Sequence, residues 1–189
     1  AVVYGQDEAL VAYALRVARR VVAFRQAGEG LNSRLAVLVE PAPFQSEHSV
    51  RLLLKLPNAL GVAASGLRLS YTVTDAEQIW AIETLARDLP ADATPLVGLQ
   101  VASFPTKAYR DWPLESFMEL CKRIRQDWPC AHFLIFGGSE EKQRTEALKS
   151  HLGTAATLYA GRLSLRQTGA LMSRLNLFIG VDTGPTHLM

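Results

Sequence analysis

The residues best suited to do chemistry stand near the carboxyl end of the sequence, in the segment Leu177–Met189. An apolar run there predicts a buried strand that ends at Asp182, and Thr183, Gly184 and Pro185 then predict the start of a helix. Free amides and the dipole at a helix start favour a phosphate group, to which a threonine hydroxyl can add a hydrogen bond. The same residues also suit an ordinary capped helix start. From this segment alone both interpretations remain open.

His187 lies one turn into that predicted helix. There its imidazole could contact a diphosphate, or it could pack the helix against a neighbour. The other histidines fall in separate elements without a spaced partner, which predicts structural or solvated side chains; they are His48, His132 and His151.

A second loop with reactive side chains spans residues 103–113, after a strand predicted at Leu96–Ala102. Two hydroxyls and two cations in it could clamp a phosphate, namely Ser103, Thr106, Lys107 and Arg110. A solvated surface loop has the same composition, so both interpretations stand. Trp112 and Pro113 are expected to anchor and start the next helix.

A third loop, Gly-Gly-Ser-Glu-Glu at 137–141, follows a strand predicted at His132–Phe136. Paired glycines let a ligand approach the backbone closely, and Ser139 can cap the following helix. Capping also explains an acid at Glu141, whereas Glu140 could accept a hydrogen bond from a ribose or a base.

Short apolar strands alternate with helices along the chain, which predicts an α/β fold with parallel sheets covered on both faces. This alternation of strands and helices runs through residues 1–90 and again through 96–189, so we expect two domains joined by a linker at 91–95. Ligands bind beyond the carboxyl ends of strands in such sheets, which places all three loops at one edge.

In the first half the pattern predicts strands at Ala1–Gly5, Val21–Phe24 and Leu67–Val73, a mostly irregular segment at 26–45, and helices that begin at Asp7, Ser46 and Asp75. In the second half it predicts helices at Leu114–Trp128, Glu140–Leu152 and Leu165–Leu175, and further strands at Thr157–Ala160 and Leu177–Val181.

Composition excludes several classes of protein. A net charge of +2 with scattered cations argues against a nucleic-acid partner, and no apolar stretch reaches the roughly 18 residues of a membrane span. The sequence contains neither a Gly-x-Gly-x-x-Gly fingerprint nor a phosphate-binding loop of the NTPase type, and no metal-ligand spacing. The two cysteines, Cys121 and Cys130, are expected to be buried thiols in a reducing compartment. We therefore expect a cytoplasmic protein, and one that is a fragment of a longer chain.

With these motifs in order, the chain resembles the heptosyltransferases of lipopolysaccharide assembly, glycosyltransferase family 9. Four features carry the resemblance: Asp-Thr-Gly-Pro-Thr-His at 182–187, the loop 103–113 that closes on Trp-Pro, Gly-Gly-Ser-Glu-Glu at 137–141, and the turn Gly161–Leu165. The resemblance covers residues 95–189 well and residues 1–90 more loosely.

The resemblance implies a GT-B fold, with two Rossmann-like domains that are both incomplete in this chain. It implies inverting transfer from ADP-heptose, without a metal or cofactor, to the lipopolysaccharide inner core, where the acceptor is Kdo-lipid A or a heptose. In that scheme Asp182 holds the heptose hydroxyls, and Thr183, Gly184 and His187 bind the diphosphate. Glu140 binds the ribose and Leu163 lies against the adenine. The protein would then work in the cytoplasm, with peripheral contact to the inner membrane left open.

Two departures from the family pattern bear on activity. Arg110 stands where the family usually has lysine, and Lys107 could share its task. The family's general base, an aspartate in a Gly-Asp motif, falls outside this sequence, so no catalytic residue is assigned. A non-catalytic nucleotide- or phosphate-binding module, or an epimerase of the same fold acting on another nucleotide sugar, therefore remain alternatives.

Overall fold

All strands pair in parallel and form two separate sheets. The computed structural model describes residues 1–43 and 46–189, so Phe44 and Gln45 of the segment predicted to be irregular lie outside the described residues. The chain divides into two compact units, Ala1–Leu69 and Ser70–Met189. Each sheet belongs to one of these units.

The first unit is a three-stranded sheet with order β1-β2-β3. Its elements are β1 (Val2–Val3), α1 (Glu8–Val17), β2 (Val22–Phe24), α2 (Glu29–Asn32), β3 (Val37–Val39) and α3 (Ser49–Asn58). Asp7 caps α1, as predicted, because its carboxylate accepts from the amides of Ala9 and Leu10.

Two predictions for the first half are wrong. Helix α3 begins at Ser49 and is capped by the His48 side chain, so Ser46 is not its cap. The strand predicted at Leu67–Val73 is absent from the described residues, which show irregular backbone there. The alternation of apolar and polar residues does not correspond to one buried face here, since Leu67 and Leu69 are exposed while Val73 packs into the core of the second unit.

The second unit is a four-stranded sheet with order β6-β5-β4-β7. Its strands are β4 (Leu96–Gln100), β5 (His132–Phe136), β6 (Ala156–Leu158) and β7 (Leu177–Gly180), and its helices are α4 (Asp75–Asp88), α5 (Leu114–Asp127), α6 (Lys142–Leu152), α7 (Leu165–Met172) and α8 (Gly184–Leu188). Short 3₁₀ turns occupy Pro105–Arg110 and Gly153–Ala155.

Helices cover both faces of this sheet, and alternating residues of β4 separate the two cores. Val97 and Leu99 pack with Phe117 and Cys121 of α5 on one face. Gly98 points to the opposite face, where an added Cβ would lie 2.4 Å from Leu175 and 2.8 Å from Phe178. The parallel sheet with helices on both sides is the architecture expected from the sequence.

Helix α4 belongs to the second unit by its packing. Its buried Ala81 joins a core cluster with Ala170 and Leu171 of α7. The compact units therefore divide at residues 69 and 70, before the predicted linker at 91–95, because α4 lies on the second sheet.

The two cysteines differ in burial. Cys121 is fully buried in the core, and burial raises the pKa of its thiol to about 12. Cys130 is exposed, so its predicted burial is wrong. No helix within the described ranges is both long and apolar enough to cross a membrane.

Candidate functional site

The carboxyl ends of β4, β5 and β7 meet at one edge of the second sheet, where they border a cleft of about 320 Å³. The cleft is lined by Gln100, Ala102, Ser103, Phe104, Gly137, Gly138, Glu141, Leu163, Leu165, Thr168, Thr183, Gly184 and Pro185. The three loops singled out in the sequence thus meet in one place, as parallel topology requires.

Asp182 is bonded to Arg110 and to His187 beside this cleft. Its Oδ2 accepts from Nη1 of Arg110 at 2.7 Å, and its Oδ1 lies 2.9 Å from Nε2 of His187. All three side chains are about half exposed, at 44% for Arg110, 51% for Asp182 and 68% for His187. Asp182 and His187 come 72 and 77 residues after Arg110 in the sequence, yet the three side chains are in contact. We call this group the Asp182 cluster.

Tyr109 also contacts the Arg110 guanidinium. Nε of Arg110 donates to the tyrosine hydroxyl at 3.2 Å, and the guanidinium carbon lies 5.4 Å from the ring centre. The hydrogen bond to Tyr109, and after it the charge of Asp182, raise the pKa of Arg110 above its usual value. Arg110 is therefore a permanent cation, bonded to the residue that precedes Thr183 of the cleft wall.

Asp111 shapes the loop after β4. Its Oδ1 accepts from the Ser103 amide at 2.9 Å and from the Ser103 hydroxyl at 2.6 Å. Ser103 is buried and lines the cleft, with its hydroxyl proton directed to Asp111. Its hydroxyl oxygen can still accept a hydrogen bond, but the proton is not free for a phosphate.

Arg144, which the sequence analysis did not single out, fastens the same loop to α6. Its Nε donates to the Val101 carbonyl at 3.1 Å and its Nη2 to the Trp112 carbonyl at 2.6 Å. The Trp112 ring packs edge-on against Phe117, with centroids 4.9 Å apart. Trp112 is thus an anchor for α5, as predicted from the Trp-Pro pair.

The structure places Glu141, rather than Glu140, at the cleft. Glu140 is exposed, whereas Glu141 lines the cleft and its Oε2 is buried without a hydrogen-bond partner among the described residues. Helix α6 begins at Lys142 with Glu141 in the N-cap position. The prediction that Ser139 caps this helix is therefore wrong. The backbone turns at Gly137 (φ 155°), and a Cβ on Gly138 would lie 2.8 Å from Oε2 of Glu141.

Gln100 supplies a second buried acceptor that the sequence analysis missed. Its side chain lines the cleft and only 5% of the residue is exposed. Nε2 donates to the Ala102 carbonyl at 2.9 Å, while Oε1 has no partner in residues 1–43 or 46–189. A polar residue at the end of the apolar run Leu-Val-Gly-Leu was the only signal in the sequence.

The loop after β7 is closely packed. Thr186 Oγ1 donates to the Val181 carbonyl at 2.6 Å and lies 3.1 Å from the Thr183 hydroxyl. A Cβ on Gly180 would lie 2.6 Å from the same Oγ1, so this strand end has room only for glycine. Thr183 and Gly184 are thereby held at the wall of the cleft.

The remaining predicted site residues fall into two groups. Leu163 lines the cleft just before α7, where Ser164 and Gln167 form a reciprocal cap. Thr106 and Lys107 are exposed and do not line it. Within the described parts of the chain, no three His, Cys, Asp or Glu side chains are grouped so as to hold a metal ion.

A parallel sheet covered by helices on both faces, with a cleft beyond its strand ends, places this unit in the Rossmann-like class of α/β folds. Residues 9–189 match the sequence model of glycosyltransferase family 9 (heptosyltransferase), so the chain belongs to that family.

Individual relatives agree with this assignment. The chain is 27% identical over 90 residues to a lipopolysaccharide core heptosyltransferase of Haemophilus influenzae, covering 48% of this chain and 26% of that protein. A crystal structure of a family 9 glycosyltransferase from Veillonella parvula superposes with a TM-score of 0.77 over 98% of this chain, at 19% identity. ADP-heptose lipopolysaccharide heptosyltransferase II of Escherichia coli superposes with a TM-score of 0.66 over 99% of the chain, at 16% identity.

These likenesses confirm the predicted α/β fold of the GT-B type. The chain spans about half of the two solved relatives, at 52% and 57% of their lengths, and a quarter of the Haemophilus protein.

Proposed function

We propose that the protein transfers heptose from ADP-heptose to the lipopolysaccharide inner core, at a Kdo or heptose acceptor, and that the unit Ser70–Met189 binds the donor. The family assignment supports glycosyl transfer. The Haemophilus influenzae relative is named a lipopolysaccharide core heptosyltransferase, and the Escherichia coli relative an ADP-heptose lipopolysaccharide heptosyltransferase. The observation that carries the proposal is the position of the Asp182 cluster, whose Asp182 directly precedes Thr183 and Gly184 in the wall of the cleft at the ends of β4, β5 and β7, although the cluster side chains themselves do not line it.

The chemistry of the leaving group fits these residues. Cleavage of the bond between the sugar and the diphosphate develops negative charge on the departing ADP and positive charge at the anomeric carbon. Arg110, His187 and the amides near Gly184 can stabilise that negative charge without a metal. Removal of one such contact typically costs about 10²–10³ in kcat.

The Asp182 cluster implies an exchange of partners when the donor binds. In the structure the Asp182 carboxylate is bonded to both Arg110 and His187. A diphosphate competes with it for both side chains, since the Arg110 guanidinium is a charge-assisted donor to anions and an imidazole N–H of His187 can also donate to a phosphate oxygen. The released carboxylate oxygens then accept hydroxyls of the heptose, the role that the resemblance gives Asp182.

Glu141 is the better candidate to hold the ribose. Its Oε2 is buried, has no partner among the described residues and lies beside the paired glycines, where a nucleoside can approach the backbone closely. A carboxylate accepts both vicinal hydroxyls of a ribose. In this proposal exposed Glu140, Thr106 and Lys107 have secondary roles, Ser103 supports the loop and Leu163 contacts the adenine.

The donor also bears on location and partners. The resemblance implies a cytoplasmic donor and a lipid-linked acceptor, and on that basis we place the reaction at the cytoplasmic face of the inner membrane. The protein needs only a peripheral contact with that surface.

Calorimetric titration of the intact protein with ADP, ADP-heptose and UDP-glucose tests the donor assignment. We expect ADP and ADP-heptose to bind and UDP-glucose to bind at least tenfold more weakly, a difference of about 1.4 kcal/mol. Tighter binding of UDP-glucose would refute the assignment to ADP-heptose.

A further inference from the structure

Gln100 stands where an apolar sheet face reaches the cleft. It is the last residue of β4, on the same side of the strand as Gly98, where the neighbours are the rings of Phe136 and Phe178. An added Cβ on Gly180 of β7 would come within 3.0 Å of the Gln100 Cβ, so the two strand ends are in close contact. A primary amide in such surroundings loses its water and must find partners in the protein or in a ligand.

The orientation of this amide is determined by one hydrogen bond. The Ala102 carbonyl only accepts, so the group that lies 2.9 Å from it must be the NH₂ of Gln100. Oε1 is therefore the atom left over: it is buried and has no partner in the part of the chain that the structure describes, in a residue that lines the cleft. An unmet acceptor with a fixed orientation marks a place that a hydrogen-bond donor can fill.

An amide oxygen selects its partner by chemistry. The oxygens of a diphosphate are acceptors without protons at neutral pH and cannot bond to Oε1. Hydroxyl groups can, and a nucleotide sugar carries them on both its ribose and its transferred sugar. The amino group of an adenine is a third donor, but Leu163, expected at the adenine, follows β6, which lies two strands from β4, roughly 10 Å away.

We propose that Gln100 Oε1 accepts a hydrogen bond from a hydroxyl of the bound nucleotide sugar, on the ribose or on the transferred sugar, and that Gln100 is thereby a specificity-determining residue of the cleft. This inference rests on the proposed function. It follows that a ligand lacking that hydroxyl leaves Oε1 buried and unpaired, and the cleft rejects it for that reason.

Calorimetry with matched ligands tests the contact. Gln100→Met keeps the length of the side chain and removes the acceptor. Wild type and variant are titrated with ADP, 2′-deoxy-ADP, 3′-deoxy-ADP and ADP-heptose. If the partner is a ribose hydroxyl, we expect Q100M to bind ADP about 3- to 10-fold more weakly, and the wild type to lose as much with one of the two deoxy nucleotides. Q100M should then not distinguish that deoxy nucleotide from ADP, because the contact is already gone.

If the partner is a hydroxyl of the transferred sugar, Q100M binds ADP like the wild type and loses affinity for ADP-heptose alone. Both patterns support the proposal and identify the source of the hydroxyl. Unchanged affinity of Q100M for all four ligands would overturn it, and so would an equal loss for all four, which indicates a structural role. If the wild type binds none of them, the proposed function fails, and the inference with it.

Gln26 offers a matched control in the first unit. It too is a buried glutamine, with Nε2 bonded to the Phe24 carbonyl at 2.6 Å and Oε1 without a partner among the described residues. Gln26→Met removes the same group outside the cleft, so we expect a similar loss of thermal stability and unchanged affinity for ADP. If Q100M does not fold, Gln100→Leu provides the same comparison with a shorter apolar side chain.

Discussion

At the scale of single residues, the Asp182 cluster combines binding and positioning. Its carboxylate keeps Arg110 and His187 at the cleft before a donor binds, at 2.7 and 2.9 Å. Because these side chains are about half exposed, water screens their attraction, and the pairs add little to stability. Their value lies in holding the Arg110 guanidinium and the His187 imidazole in place for an anionic ligand.

Replacement of Arg110 tests this role. We expect Arg110→Ala to lower kcat about 10²–10³-fold, because a cation that meets the leaving diphosphate is lost. Arg110→Lys keeps the charge but not the bidentate geometry, so its kcat should lie between those of the wild type and Arg110→Ala. Steady-state transfer rates at saturating donor provide the measurement.

Arg123 is the matched control for this change. Its guanidinium pairs with Glu119 on the exposed side of α5, at 2.9 Å. Arg123→Ala should leave kcat unchanged. A loss of activity in Arg123→Ala as large as that in Arg110→Ala would contradict a specific role for Arg110.

Glu141 and Glu140 form a natural pair for a second prediction. Glu141→Gln removes the charge from the buried acceptor and should weaken ADP binding by about tenfold, since hydrogen bonds to charged groups contribute about 1.5–3 kcal/mol. Glu140→Gln should change ADP affinity less than twofold, because that side chain is exposed. Dissociation constants for ADP, measured by calorimetry, distinguish the two variants. A larger loss of affinity in Glu140→Gln than in Glu141→Gln would assign the ribose contact to Glu140 instead.

At the scale of elements, α7 is tied to the segment that precedes α4. Arg166 donates to Glu77 through both Nε and Nη2, donates to the Thr72 carbonyl at 3.0 Å, and lies 4.8 Å from the Tyr71 ring centre. A Cβ on Gly169 would lie 2.6 Å from that ring, so Tyr71 packs directly on the helix. These contacts hold the start of α7, where Leu163 and Leu165 line the cleft.

This tie predicts a pH dependence of stability. The hydrogen bond from Arg166, followed by that from the Thr74 amide, lowers the pKa of Glu77 from 4.5 to about 2. A carboxylate whose pKa is lower in the folded state stabilises the fold above its unfolded value, so the contribution is complete above pH 4.5 and lost between pH 4.5 and 2. Glu77→Gln should therefore lower the Tm at pH 7 and reduce the further drop across that acid range, as measured by thermal unfolding. An equal acid-induced drop in wild type and variant would contradict this account.

The end of β7 gives a prediction about packing. Gly180→Ala places a Cβ 2.6 Å from Thr186 Oγ1 and 2.9 Å from Phe178, so we expect a loss of about 1–3 kcal/mol in the free energy of unfolding. Gly184→Ala is the control for stability, because its added Cβ would meet no atom within 4 Å. Urea unfolding measures both, and equal stabilities would show that the loop relaxes freely.

At the scale of the whole molecule, the alternation of strands and helices was sufficient to predict two parallel-sheet units, because buried parallel strands are short, apolar runs. The change from strand to helix between Asp182 and His187 was also predictable, since its polar residues, glycine and proline are unusual directly after such a strand. The packing of α4 on α7 could not be predicted in the same way, because it is a tertiary contact without a local signal in the sequence.

Tertiary contacts also explain why two residues of the cleft region could not be identified from the sequence. Gln100 and Arg144 matter through burial and through partners distant in the sequence, such as the Trp112 carbonyl. Glu140 and Glu141 differ only in where α6 begins, and capping patterns locate a helix start to within a residue or two. The roles of the site residues accordingly remain predictions.

A mass-spectrometric transfer assay tests whether the protein transfers heptose from ADP-heptose. The intact protein is incubated with ADP-heptose and Kdo-lipid A, or with the same acceptor already carrying one heptose. The account predicts that one of these acceptors gains the mass of a single heptose residue and that ADP is released in equal amount. Transfer from another nucleotide sugar but not from ADP-heptose, or consumption of ADP-heptose without any gain in acceptor mass, would contradict it.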